Sequence, residues 1–121
     1  MEEKIESLFN DIDLMDADKF ASYLDENVNF RFGNAPVAEG KEAARAAVEG
    51  FFKSIKGINH KRLRIWVNKD SVLYQGEATY TRHDNSKITL PFLNVFILNG
   101  DMIKEYSIYM DINPLYNQAA Q

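Results

Sequence analysis

The chain has 121 residues and a formal charge of −4, from 18 acidic against 14 basic side chains. This length predicts one domain, residues 1–121, with a core large enough to need no disulfide or metal. The absence of cysteine excludes disulfide scaffolds and cysteine nucleophiles, and the acidic balance argues against nucleic acid as a partner. Without a signal peptide pattern or an apolar run of about 20 residues, we expect a cytoplasmic protein with no membrane partner.

The first half of the chain has the apolar spacing of helices. It predicts a first helix from about Glu2 to Asp13 and a short second helix with Asp16 as its N-cap. A third helix is predicted from about Lys41, with Gly57 placed to end it as a left-handed cap residue. Alternating apolar residues predict a short strand over Val28 to Phe32, between the second and third helices.

From residue 59 onward the apolar period becomes two. This predicts four strands, the last three over about residues 71–82, 87–98 and 102–111, joined by short turns into an antiparallel meander. Strands of about 12 residues at ~3.4 Å each are longer than such a domain is wide, so the sheet must bend. Gly76 and Pro91 are the predicted bending or edge positions. The pattern predicts an α+β fold in which a cone-shaped, curved antiparallel sheet wraps around the long third helix.

The two-residue period also predicts which side chains face the concave side of this sheet. Most of them are aromatic or aliphatic, and the small Gly76 and Ala78 favour a pocket over a solid core. The remaining members of this face are Phe30, Phe32, Tyr74, Tyr80, Leu90, Phe92, Asn94, Phe96, Tyr106, Ile108 and Met110. We expect the aromatic residues among them, with Ile108 and Met110, to bind a small, largely apolar, oxygen-bearing molecule; simple core packing is the alternative.

Asn94 lies between Phe92 and Phe96 on this apolar face, where an amide needs partners. It could donate to a ligand carbonyl or a developing oxyanion. It could equally bond a backbone group near Pro91, and the sequence leaves both alternatives open.

Two further groups are candidates for acid–base catalysis. Asp111 ends the last strand, where capping the following turn is its alternative role. His60 shares the parity of Arg62 and Arg64, which predicts the convex side unless a bulge turns it inward. A pair of His60 and Asp111 would supply an acid and a base. The sequence contains neither a metal-ligand set nor a phosphate-loop spacing, so we expect no metal and no cofactor.

The convex face of the sheet is predicted to be apolar as well. Its apolar members are Trp66, Leu93, Val95, Ile97 and Tyr109. A sheet with one face in water does not have this pattern, so we expect a homodimer through the convex face. Scattered surface apolar residues are the alternative.

Three segments carry a resemblance to a known family: RFGNAPVAEG before the third helix, PFLNVFILNGDMI in a hairpin and IYMD near the end. Together with the order of elements, they make the chain similar to the SnoaL-like polyketide cyclase group. This group belongs to the superfamily of ketosteroid isomerases, limonene epoxide hydrolases and nuclear transport factor 2. The resemblance spans nearly the whole chain and implies a single SnoaL-like domain with a cystatin-like α+β barrel.

The catalytic residues of these relatives mostly have no counterpart in this chain. Leu8 stands where a ketosteroid isomerase has its first-helix tyrosine, and Asn94 stands at its oxyanion-donating acid. The strand of its base carries Phe30, Arg31 and Phe32, and the epoxide hydrolase residues correspond to Gly76, Ala78 and Ile108. The resemblance implies cofactor-free isomerase or cyclase chemistry beside a carbonyl. A non-catalytic ligand-binding or dimerisation module with a degenerate site is the alternative.

Overall fold

The computed structural model describes residues 1–117 and consists of helices packed on one curved sheet. The elements are α1 (Glu2–Asp13), α2 (Ala17–Ala21), β1 (Leu24–Phe32), β2 (Ala38–Glu39), α3 (Lys41–Lys53), β3 (Gly57–Asn68), β4 (Ser71–Thr81), β5 (Lys87–Asn99), β6 (Met102–Tyr109) and α4 (Asn113–Tyr116). The strand order is β2-β1-β6-β5-β4-β3, in which β3 to β6 form the predicted antiparallel meander. The predicted α+β fold is confirmed.

Several element boundaries differ from the predictions. α3 ends at Lys53, where the Ser54 hydroxyl donates to the Phe51 carbonyl at 2.6 Å; Gly57 begins β3 instead of capping the helix. β1 begins at Leu24, before the predicted Val28, because it pairs in parallel with β6 from that residue onward. The local apolar pattern of residues 24–27 does not indicate this pairing, because the partner strand lies far away in the sequence. β2 and α4 are too short to produce a periodic signal.

The core lies between the helices and the concave face of the sheet. α1 buries the apolar stripe predicted for it, and α3 buries Ala44, Val48 and Phe52. Asp16 caps α2 as predicted, accepting the Lys19 N–H at 3.0 Å. Within residues 1–117, no helix is both long and apolar enough to span a membrane.

β3 has a bulge between Arg62 and Arg64, opposite Gly76 of β4. A Cβ built on Gly76 would lie only 2.4 Å from the Lys61 carbonyl oxygen, so the close approach of the two strands requires glycine. The extra residue reverses the alternation of side chains along β3. His60, before the bulge, therefore pairs with Ala78 of the concave face.

The bulge corrects the prediction for two residues of β3. His60 faces the core and not the convex side, and Arg62 turns toward α1, where its guanidinium contacts Glu2 at 2.9 Å and Glu6 at 3.1 Å. Trp66, after the bulge, pairs with Leu73 and faces the convex side as predicted. Strict alternation along a strand predicts the wrong face for side chains on one side of a bulge, because the bulge adds one residue.

Pro91 lies in a central strand, at a position where only one of its two edges has a neighbouring strand. It is opposite Glu77 of β4, whereas β6 already ends at the level of Leu93. A residue without an N–H is tolerated there because no strand needs that hydrogen bond.

Candidate functional site

A cavity of about 40 Å³ lies between α1, α3 and the concave face of the sheet. Its lining is almost entirely aromatic or aliphatic; among residues 1–117, its polar side chains carry an imidazole, an amide and two tyrosine hydroxyls. The lining residues are Phe9, Ile12, Phe20, Phe30, Phe32, Val48, Phe51, Phe52, Ile58, His60, Tyr80, Phe92, Asn94, Tyr106, Ile108 and Met110. At roughly 10–15 Å³ per water, the space holds a few water molecules as it stands.

Most of the predicted ligand-binding residues lie on this cavity, but Tyr74 and Phe96 do not. Tyr74 stacks on Phe9 with ring centroids 4.0 Å apart, and Phe96 packs edge-on against Tyr106 at 4.5 Å. The space that small residues were expected to open is also filled. The ring of Phe92 lies 3.1 Å from where a Gly76 Cβ would be, so neither Gly76 nor Ala78 lines the cavity.

His60 is held on the cavity wall by the carboxylate of Asp13, at the end of α1. One carboxylate oxygen lies 2.5 Å from the imidazole Nδ1, and the other accepts the His60 backbone N–H at 3.1 Å. The rings of Phe9 and Phe92 pack against the imidazole with centroids 4.9 and 5.3 Å away. Asp13 therefore fixes the backbone and the ring orientation of His60 together.

The Asp13 contact also determines the tautomer of His60. An ionised carboxylate accepts hydrogen bonds only, so Nδ1 must carry the proton that it shares with Asp13. In the neutral imidazole the lone pair is then on Nε2. Such an imidazole can accept a proton at Nε2 while Asp13 stabilises the resulting positive charge.

Asn94 is the buried polar residue of the core, with 2% of its surface exposed. Its side-chain oxygen accepts no hydrogen bond from the described residues. Leaving such a group unpartnered costs about 1–3 kcal/mol. The alternative from the sequence is a hydrogen bond between the Asn94 side chain and a backbone group near Pro91; within residues 1–117, no backbone N–H donates to the Asn94 oxygen.

Two tyrosine hydroxyls complete the polar set of the cavity. The Tyr80 hydroxyl donates to the Met110 sulfur at 3.6 Å, a weak acceptor that a ligand oxygen could replace. Burial raises the pKa of Tyr80 and of Tyr106 well above the ordinary tyrosine value. Both hydroxyls therefore stay protonated, and able to donate, at neutral pH.

Asp111 lies outside the cavity. It is exposed, and its carboxylate accepts the Asn113 N–H at 3.1 Å, which is the turn-capping role weighed from the sequence. The predicted pair of His60 and Asp111 does not form, because the bulge turns His60 toward α1 and Asp13.

Beside the cavity lies an open groove of about 820 Å³. It runs between the end of β1, the outer face of α3 and the segment that leads into α4. Four side chains belong to both the cavity and the groove: Phe30, Phe32, Phe51 and Met110. The remaining groove residues are Gly33, Asn34, Ala35, Ala47, Asp111, Ile112, Asn113 and Tyr116.

Asp13 and the helical side of the cavity are site features that were not predicted from the sequence. Asp13 follows Phe9 by four residues, which places both on the same face of α1, and this spacing was the available signal. No group of three or more His, Asp or Glu side chains within residues 1–117 could hold a metal ion.

Comparison with known proteins identifies the family. Residues 5–106 match the family model of the SnoaL-like domain. The chain belongs to this family. The resemblance expected from the sequence is thus confirmed. No curated protein matches the chain in sequence.

Solved structures of similar fold extend this comparison to SnoaL-like and NTF2-like proteins. An NTF2-like protein of unknown function from Burkholderia pseudomallei K96243 has a TM-score of 0.86 at 10% identity, over 96% of this chain and 94% of that chain. TerC, co-crystallised with polyporic acid, has a TM-score of 0.83 at 13% identity, over 98% and 97%. A protein described as a SnoaL-like polyketide cyclase, from Jannaschia sp. CCS1, has 0.79 at 17%, over 95% and 88%. At these identities the likeness establishes the fold alone.

Proposed function

We propose that this protein binds a small, largely apolar molecule bearing a carbonyl oxygen, and moves a proton beside that carbonyl without a cofactor. The observation that carries the proposal is one apolar cavity lined by both a carboxylate-held imidazole, His60, and an amide with an unpartnered oxygen, Asn94. General acid–base chemistry needs such a positioned proton acceptor, and an amide can stabilise the charge that develops.

The proposed chemistry uses groups of this chain only. Nε2 of His60 takes a proton from the carbon next to the carbonyl, and the electron pair of the broken C–H bond forms an enolate. The Asn94 N–H and the Tyr80 hydroxyl donate to the enolate oxygen. His60 then returns the proton to another carbon in an isomerisation. In an aldol cyclisation, the enolate carbon attacks a second carbonyl of the same molecule, and that oxygen receives the proton.

The cavity side chains suit this proton transfer better than the exposed Asp111 does. Apolar walls strengthen the interaction of Asn94 with a developing charge, because little water competes for it. A ligand hydroxyl or enol would also donate to the Asn94 oxygen that the described protein atoms leave unpartnered.

Exchange of ketone α-protons tests this proposal directly. The measurement is the rate at which the α-protons of 4-methylcyclohexanone are replaced by deuterium in D₂O, followed by NMR. We expect the protein to accelerate exchange, and His60→Gln to lose about 10²-fold or more of that acceleration. His83→Gln is the matched control, because His83 is exposed and bonds the Lys53 carbonyl instead of lining the cavity.

Two results would contradict proton transfer. The first is exchange in the unmodified protein that is no faster than in His60→Gln. The second is a ketone that binds, by titration calorimetry, but shows no accelerated exchange, which would favour the non-catalytic ligand-binding module.

We also propose that a second copy of the chain covers the convex face. Trp66 is 46% exposed and Tyr109 is 61% exposed there, beside the half-buried Leu93, Val95 and Ile97. Clustered apolar side chains on one sheet face are typical of a twofold interface. Sedimentation velocity should show a dimer that Tyr109→Arg converts to a monomer, whereas Tyr116→Arg, on the groove side, should leave it intact. A dimer that persists in Tyr109→Arg would refute this placement.

A further inference from the structure

The cavity and the groove differ greatly in size but share walls. The cavity has about 40 Å³ and the groove about 820 Å³. A six-membered ring is far larger than the few water molecules that the cavity accommodates. An organic molecule can therefore reach His60 and Asn94 only if side chains between the two spaces move.

Three of the four side chains that the two spaces share are not fully buried. Phe32, Phe51 and Met110 are half-buried, whereas Phe30, the fourth shared residue, is buried. The ring of Phe51 contacts Phe32 at 5.0 Å and Tyr80 at 5.8 Å between centroids. Phe51 thus forms a barrier made of ring contacts between the groove and the deeper cavity.

The helix that carries Phe51 is weak at this position. Gly50 precedes it inside α3, and a Cβ built on Gly50 would meet no atom within 4 Å. Packing therefore does not require glycine here, although a helix-interior glycine costs about 1 kcal/mol relative to alanine. The last turn of α3 can accordingly adjust more easily than the rest of the helix.

The far wall of the groove is anchored by several hydrogen bonds. Arg82 donates to the carbonyl oxygens of Leu115 at 2.8 Å and Pro114 at 3.0 Å. The hydroxyls of Ser54 and Tyr116 share a hydrogen bond of 2.8 Å. The groove thus has one fixed wall at α4 and one adjustable wall at Phe51.

We propose that the cavity and the groove form one binding site for an elongated molecule: a ketone-bearing ring that displaces Phe51 to reach His60 and Asn94, and an apolar tail that lies in the groove. This inference rests on the proposed function for the ketone end and adds the tail. Ala35, Ala47 and Ile112 give the groove apolar surface for the tail, with Asn34, Asp111 and Asn113 beside them.

The tail can be tested with two ketones that differ only in length. Titration calorimetry of 4-methylcyclohexanone and 4-pentylcyclohexanone measures the gain in binding affinity from four added methylenes. Each methylene that becomes buried strengthens binding about fourfold, so we expect a gain of at least about tenfold for the pentyl ketone.

Ala47→Trp tests the groove independently of the cavity. Ala47 is exposed on α3 and lines the groove but not the cavity. The substitution should abolish the gain in affinity from the tail, measured as the ratio of the affinities of the two ketones for the same variant. Ala46→Trp, exposed one residue earlier on the same helix but outside the groove, is the matched control and should retain the gain. Phe51→Ala should raise the association rate constants of both ketones, measured by stopped flow.

The possible failures are distinguishable. Equal tail gains in Ala47→Trp and Ala46→Trp would overturn the placement of the tail in the groove. Binding and α-proton exchange with no tail gain in the unmodified protein would overturn the elongated ligand but leave the proposed function intact. If neither ketone bound, both proposals would fall.

Discussion

The two faces of the sheet depart from ordinary burial in opposite directions. The concave face buries His60 and Asn94 among aromatic rings, whereas the convex face leaves Trp66 and Tyr109 exposed. A buried amide oxygen without a partner reduces the stability of the fold. An exposed apolar cluster is typical of a surface that binds another protein. The difference fits the two molecules proposed above, a small polar-tipped ligand at the concave face and a second copy of the chain at the convex face.

One strand, β5, contributes side chains to both faces. In β5, Asn94 points into the core between Leu93 and Val95, which point outward. Substitutions along β5 and its neighbour β4 can therefore perturb the concave face and the convex face separately.

The largest expected effect follows from filling the close contact at Gly76. Gly76→Ala puts a Cβ 2.4 Å from the Lys61 carbonyl oxygen and 3.1 Å from the Phe92 ring, so a backbone shift is required. We expect a loss of about 3 kcal/mol in the free energy of unfolding, measured by urea denaturation. The same shift should displace His60 and slow α-proton exchange.

Gly50→Ala is the control for the glycine substitution itself. Its new Cβ meets no atom, so the variant should gain about 0.4–1 kcal/mol. Equal effects of the two substitutions would mean that the bulge in β3 does not depend on Gly76.

Removing the amide of Asn94 from the concave face should raise the stability of the protein and weaken its binding of a ketone. Asn94→Leu replaces a buried amide whose oxygen has no partner by an apolar side chain of similar size, so the free energy of unfolding should rise by about 1–2 kcal/mol. Binding of 4-methylcyclohexanone should weaken in the same variant. Asn99→Leu, at the exposed end of β5, should give no gain in stability. Destabilisation by Asn94→Leu would indicate that the amide contributes to folding instead of binding.

Alkaline unfolding measures how well the interior excludes water. Burial raises the pKa of Tyr80 and Tyr106 above the unfolded value of about 10. Their contribution to stability is complete below pH 10 and is lost as the pH rises through the folded-state pKa. Between pH 10 and 11, the free energy of unfolding of Tyr106→Phe should fall by about 1 kcal/mol less than that of the unmodified protein. Parallel curves for the two proteins above pH 10 would contradict the burial of this hydroxyl.

The smallest expected effect concerns the convex face. Trp66 is the single tryptophan of the chain, so its fluorescence reports on this face alone. On dilution through the dimer dissociation range, its emission maximum should shift to longer wavelength by a few nanometres as the indole becomes hydrated. Tyr109→Arg should show the long-wavelength emission at every concentration. A maximum that does not depend on concentration in the unmodified protein would argue against Trp66 in the interface.

Local periodicity predicts much of the fold but not the arrangement of the site. The alternation in β4 and β5 places Tyr80, Phe92 and Asn94 correctly, because both strands are regular. The inward turn of His60 depends on a contact between Gly76 and the β3 backbone, which no count along one strand contains. Asp13 reaches His60 from 47 residues away, so the pair depends on how α1 packs against β3.

The parallel pairing of β1 with β6 has a consequence for synthesis on the ribosome. Phe30 and Phe32 lie beside Tyr106 and Ile108, and the Gly33 N–H donates to the Ile108 carbonyl at 2.8 Å. During translation, β1 can pair only with the short β2 until β6 has left the exit tunnel. The aromatic residues of β1 therefore remain without these sheet neighbours until β6 has been synthesised. We expect the cavity to form only after β6 has left the exit tunnel.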